Sequence, residues 1–488
     1  MKVWSGMHKW LGALLAPMMF VWFLSGLGML FFSFPKVGNQ GIVHRDTIGG
    51  TLPSLRQILD QVPEGEELKN LQLTTFSGKS IIRLTTDQQT LQLVADTSFT
   101  PVVESSVSYS YILEQARRWS TYPIKEIKEM NRLDTWTPYS SLKEHFPIYR
   151  IKYSDPQNSY LYLSSRTGEA LQYCTKEERI GGALSTIPHM LYFWQLRQNR
   201  DLWLAIVSIL SGLCAIMCLA GIVVGIRYYW ITWRKRRRLQ SPYRKRSYRL
   251  HHIFGILFGF FSMMFALSGL LSMQELPDWI VKQHNPKLKS AVRKRDKVDF
   301  SGFSLDYREL LKQLGEVKEI EFEQFGTKTF YTVTYRDTVA KFDATSTSIQ
   351  PLYLTKDEVL GRLSRFVDAP MSVELLEAYD NYYVSNIESE TLPVYKVICN
   401  DPDKSHFYVT PTEGNIRYFN TNNRIKKWIY PAFHSLRIKY FAGHPMFRKV
   451  LITSLCIGGL VLSVTGMVLG FHFWTRLIRK SRLKQKSE

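Results

Sequence analysis

Four stretches of this chain, roughly 10 to 34, 202 to 226, 253 to 273 and 450 to 474, each run for about 20 or more apolar or small residues without one Asp or Glu. Helices of that length cross the hydrocarbon core of a bilayer with every backbone polar group satisfied inside the segment. The sequence therefore predicts a multi-pass membrane protein with four spanning helices. The first stretch is longer than a secretory h-region and no small-residue cleavage site follows "FFSFPK", so it reads as a retained anchor.

The formal net charge of +21 is concentrated in "RYYWITWRKRRRLQSPYRKRSYR" (227 to 249) and the tail "RLIRKSRLKQKSE" (476 to 488). Basic flanks stay in the cytoplasm, which places both termini inside and two long regions outside. The divisions are helix 1 (1–35), external region 1 (36–185), an interfacial segment with helix 2 (186–230), a basic loop (231–249), helix 3 (250–275), external region 2 (276–430), an interfacial segment with helix 4 (431–475) and the tail (476–488). Beside membrane helices such charge sets topology and meets anionic lipid; nucleic acid is not an expected partner. Of the five cysteines, Cys214, Cys218 and Cys456 lie in spanning segments, and Cys174 and Cys399 are external at non-equivalent points, so no disulfide is expected. No CxxC or CxxCH occurs, which excludes a thioredoxin-like dithiol and the usual covalent c-type haem attachment.

The chain reads as a duplication. "HKWLGALLAPMMFVWFLSG" (8 to 26) and "HHIFGILFGFFSMMFALSG" (251 to 269) each open on His, place Gly four residues on, and end in Ser-Gly. "PIYRIKYSDPQNSYLYLSSRTGEALQY" (147 to 173) parallels "PVYKVICNDPDKSHFYVTPTEGNIRYF" (393 to 419), and Gly221 and Gly225 match Gly466 and Gly470. Each external region alternates at period two after an amphipathic helix, which predicts α+β modules with that helix covering one sheet face. Parallel repeats of this kind are related by an axis along the membrane normal. Two aromatic clusters, "DTWTPYSS" with Trp136 and Tyr139 and "AYDNYYVSN" with Tyr379, Tyr382 and Tyr383, read either as core and turn filling or as an aromatic-lined cleft above the membrane.

Histidines recur at equivalent places: His8 and His251 at the cytoplasmic starts of helices 1 and 3, His189 and His434 on the external side before helices 2 and 4. Two pairs at two depths across a pseudo-twofold axis suit two b-type haem irons, each taking neutral imidazoles. Gly12 and Gly255, one turn past each inner His, would leave room for a macrocycle, as would Gly26 and Gly269 deeper; close helix packing is the competing reading. A structural zinc would need Cys or carboxylate neighbours that the sequence does not supply. His252 points about 100° from His251 on a helix, so only one can face a given cofactor. His472 matches Arg227, which leaves a ligand or a haem-propionate partner as its role. His44, His145, His284, His406 and His444 have no counterpart and are expected at the surface.

These segments, with "PHML", "FHSL", "SSRTGEAL" and "TPTEGNI" in the same order twice, resemble PepSY-associated transmembrane proteins over nearly the whole chain. The resemblance implies PepSY modules on the periplasmic side of a bacterial inner membrane and haem-dependent reduction of ferric siderophores, with the haem role falling on His8, His251, His189 and His434 and the aromatic clusters flanking a substrate cleft. The cytoplasmic segments are too short for a flavin or nicotinamide domain and no GxGxxG follows a strand, so a soluble reductase or membrane quinol must donate electrons. Two other readings stay open: a membrane-tethered PepSY binding module without redox activity, and a permease.

Overall fold

The computed structural model of the protein describes residues 1–38, 40–102, 106–238, 240–273, 276–384 and 391–485. The last residues of the second aromatic cluster, 385 and 386, and parts of the basic loop and tail fall outside them. Four helices are long and apolar enough to cross a membrane: α1 (Lys2–Gly28), α2 (Arg200–Arg236), α3 (Arg246–Met273) and α4 (Pro445–Gln485). α2 and α4 run beyond the apolar stretches because their Lys- and Arg-rich ends continue the backbone ladder past the hydrocarbon, whereas α1 ends at Gly28, short of the predicted residue 34. Pro17 sits inside α1, where a membrane helix tolerates it.

The two regions between the helices are α+β. The first has β1 (Leu68–Phe76), β2 (Lys79–Thr86), β3 (Thr90–Val94), β4 (Ile124–Met130), β5 (Ile148–Tyr153), β6 (Tyr160–Ser164) and β7 (Ala170–Cys174). The second has β8 (Val317–Phe325), β9 (Lys328–Tyr335), β10 (Thr338–Asp343), β11 (Met371–Leu376), β12 (Val394–Cys399), β13 (His406–Val409) and β14 (Ile416–Phe419). Four-stranded sheets β4-β5-β6-β7 and β11-β12-β13-β14 stand one per region. The leading strands instead join into one six-stranded sheet, β10-β9-β8-β1-β2-β3, through antiparallel pairing of Gln72 with Glu321 and Leu73 with Ile320.

One core serves both leading modules. Ile58 and Leu310, from the two amphipathic helices Leu55–Leu59 and Tyr307–Leu314, meet Leu71, Leu73, Ile320 and Phe322 from the sheet, all at most 1% exposed. Each such side chain contributes about 1.5–3 kcal/mol on burial. The hairpins after β6 and β13 turn at Gly168 and Gly414, whose φ of +72° and +65° belong to the left-handed region.

Candidate functional site: two facing histidine pairs

The helices bring the four recurrent histidines together as two pairs. His8 on α1 faces His251 on α3, and His189 on the short helix Thr186–Met190 faces His434 on Phe433–Ser435; in both pairs the ring centres stand 6.0 Å apart. Each outer His is followed two residues on by a leucine with left-handed backbone, Leu191 (φ +51°) and Leu436 (φ +53°), which ends the short helix. Such a conformation costs a leucine on the order of 1 kcal/mol or more, and it recurs at matching positions.

The tautomers follow from the hydrogen bonds. Nδ1 of His8 lies 3.0 Å from the Met217 carbonyl, which can only accept, so Nδ1 carries the proton. Nδ1 of His251 lies 3.1 Å from Thr465 Oγ1, whose own proton goes to the Val461 and Leu462 carbonyls. Nδ1 of His189 reaches the Trp22 carbonyl at 3.2 Å and Ser25 Oγ at 3.3 Å; Nδ1 of His434 reaches Ser268 Oγ at 2.9 Å. Ser25 and Ser268 donate to the Val21 and Phe265 carbonyls, so they accept from the rings. All four imidazoles thus keep the Nε2 lone pair free, the state of a metal-ligating His whose other nitrogen is held by a neighbour. The serines of the repeated Ser-Gly pairs do this for the outer pair.

With centroids 6.0 Å apart, the two imidazoles of a pair are near enough that both could bind one metal ion at bonds of about 2 Å. Among the described residues no three His, Cys, Asp or Glu side chains gather at one point, whereas tetrahedral zinc needs three or four protein ligands. The donor set suits a metal whose other positions are filled by a flat macrocycle.

For the inner pair there is also room. A cavity of about 540 Å³ lies between the four helices and reaches from Ser5 to Phe23 along α1, with His8, His251 and seven glycines in its wall. That volume is within the roughly 300–1,000 Å³ of cofactor sites. Gly12 and Gly255 line it as expected, and nothing stands within 4 Å of a Cβ built on Gly12. Closer contacts fall elsewhere: a Cβ on Gly221 would meet His8 Cε1 at 2.5 Å, one on Gly466 His251 Cε1 at 3.5 Å, and one on Gly26 His189 Cε1 at 3.2 Å. Gly269 has only Ser211 Oγ nearby.

His252 lines the same cavity, 8% exposed, but its Nε2 donates to the Gly225 carbonyl at 3.1 Å and it does not oppose His8. His472 stands exposed on α4, outside the cavity wall; a step of six residues from Gly466 turns it off the face that looks inward. Neither adds to the pairs.

The described residues of the aromatic clusters pack against neighbouring aromatic side chains. Trp136 and Tyr139 lie against Phe34, with Tyr139 also on Tyr192; Tyr383 stacks on Tyr408 at 5.3 Å, and Tyr379 and Tyr382 pack beside them. Their ordering groups are two aspartates. Asp134 accepts from Tyr162 Oη at 2.9 Å and lies by Arg150; Asp380 accepts from Tyr408 Oη at 2.7 Å and pairs with Lys396 at 3.0 Å. The signal was in the sequence, since both Asp–Tyr spacings are 28 residues. Of the unmatched histidines, His284 is exposed as expected, though tied to Asp403 at 2.9 Å, whereas His406 is half-buried in β13 beside Tyr382.

A family model described as the PepSY-associated TM region matches residues 5–476. No curated protein matches the chain.

Proposed function

The chain belongs to the PepSY-associated transmembrane family, and from that premise we propose that it is a bacterial inner-membrane haem-b protein that passes electrons across the bilayer to reduce a ferric siderophore and release its iron. The observation that carries this reading is the pair of facing imidazole sets, both at 6.0 Å and both with Nδ1 anchored. Haem bound between them would supply one-electron chemistry.

The protein's part is to hold and to insulate. His8 and His251 would ligate one haem, His189 and His434 the other. Seventeen residues of α1 separate His8 from Ser25, the outer pair's anchor, a rise of about 25 Å, so the two positions lie towards opposite membrane faces. The basic ends of α2 and α4 support a cytoplasmic assignment of that face, which would put the sheets in the periplasm. There an Fe(III) chelate is the substrate; its hard oxygen ligands hold Fe(II) far more weakly, so reduction frees the metal. Electrons come from a soluble cytoplasmic reductase or from membrane quinol.

The test is the absorption spectrum of the detergent-purified chain before and after dithionite, with haem counted per polypeptide. Two haems are expected, and His251→Ala or His434→Ala should each remove about half the signal. A colourless chain, or full retention in all four single His→Ala variants, overturns the reading in favour of a membrane-tethered binding module.

A further inference from the structure

The cavity between the spanning helices differs from end to end. Its deep wall is apolar, with Met19, Phe23, Met217 and Leu462. Its wall also holds Lys9 and Arg476, both exposed and, among the described residues, the only Lys or Arg in the lining, and no described Asp or Glu lines it. Among the described residues neither cation has a carboxylate partner. Two cations at the rim of a low-dielectric chamber attract negative charge more strongly than they would in bulk water. The ligand that completes such a chamber is flat and apolar in its body and carries anionic groups along one edge.

We infer that Lys9 and Arg476 bind the carboxylates of the macrocycle held between His8 and His251, so that its acidic edge faces the side of the chain termini and its apolar edge the bilayer centre. The inference rests on the haem reading above and goes beyond it by fixing the ligand's direction. It also moves the carboxylate-binding role away from the Arg227–His472 position, where the repeat pattern left a ligand in one half and a propionate partner in the other; Lys9 stands at the repeat position of His252. Arg476 lies ten residues past Gly466, the neighbour of His251, and so on the termini side of the imidazoles, while Lys9 stands one residue from His8 and level with it; both side chains are exposed and line the cavity.

The test uses the full chain with His189→Ala and His434→Ala, which keeps the inner pair alone. Freed of haem in detergent, it is titrated with haemin and with haemin dimethyl ester, whose carboxylates are capped while ring and iron are unchanged, and binding is followed by Soret absorbance. Haemin should bind about tenfold tighter than the ester, equivalent to about 1.4 kcal/mol. Adding Lys9→Gln and Arg476→Gln should bring both ligands to the ester's affinity, while Lys9→Arg with Arg476→Lys should keep the preference. Gel filtration and circular dichroism of each variant separate misfolding from loss of the rim. Equal binding of the two ligands, or a preference that survives the Gln substitutions, overturns the inference. If neither ligand binds even with all four histidines present, the haem reading itself fails and the rim assignment with it.

Discussion

At the residue scale the site depends on missing side chains as much as on present ones. Gly221→Ala would push a methyl to 2.5 Å from His8 Cε1, so the ring must turn away from its partner; the inner haem should be lost while the helix, which gains propensity from Ala by about 1 kcal/mol, stays folded. Gly12→Ala, with open space around it, should retain more haem than Gly221→Ala, and haem per polypeptide in the two variants checks the difference. Ser268→Ala removes the acceptor that holds His434 Nδ1 and should weaken haem binding at the outer site on the order of 10- to 100-fold, measured by titration in a chain lacking the inner pair. The recurrence of His, Gly and Ser was legible because each element occurs twice at fixed spacing. Which glycine meets which imidazole was not, since that depends on the neighbouring helix, and a helix's own period carries no record of its neighbour.

At the scale of elements, the second module of each region is held by a half-buried aspartate, Asp134 or Asp380. Burial raises the Asp380 pKa, but the Tyr383 N–H, the Tyr408 hydroxyl and Lys396 outweigh it and keep the carboxyl below its ordinary range. That stabilisation is present above about pH 3.9 and is lost as pH falls through the folded value. His406 acts in the same direction at milder pH: burial, then Arg424 and Lys396, push it down to about 4. Its neutral form is the one that folds, so its contribution is whole above about pH 6.5 and drains away towards pH 4. The melting temperature of the detergent-solubilised protein should therefore fall between pH 6.5 and 4, and His406→Asn should flatten that fall. Asp380→Asn should cost about 1.5–3 kcal/mol at neutral pH, read from denaturant midpoints. Period-two alternation marked the strands correctly, yet aromatic residues beside a turn look alike whether they fill a core or border a cleft, and the sequence does not show that Asp380 accepts from Tyr408.

At the scale of the whole molecule, β1 and β8 join the halves outside the membrane while α1 and α3 face each other within it. The strand pairing could not be read from the sequence, because alternation assigns a strand's buried face and leaves its edge partner open. Truncating Ile320 to Ala beneath this seam should cost about 2–5 kcal/mol, seen as a lowered midpoint. Co-expressed pieces 1–238 and 240–488 should copurify with haem, whereas either piece alone should be devoid of it; haem in a lone piece would contradict the pairing.

Each imidazole pair draws one ring from the first piece and one from the second. Cut between α2 and α3, the chain would have to bring two pieces together before either place between the rings were complete. The covalent link removes that dependence on concentration and leaves the two sides free to differ: Ser262 lines the chamber on α3 as Met19 does on α1.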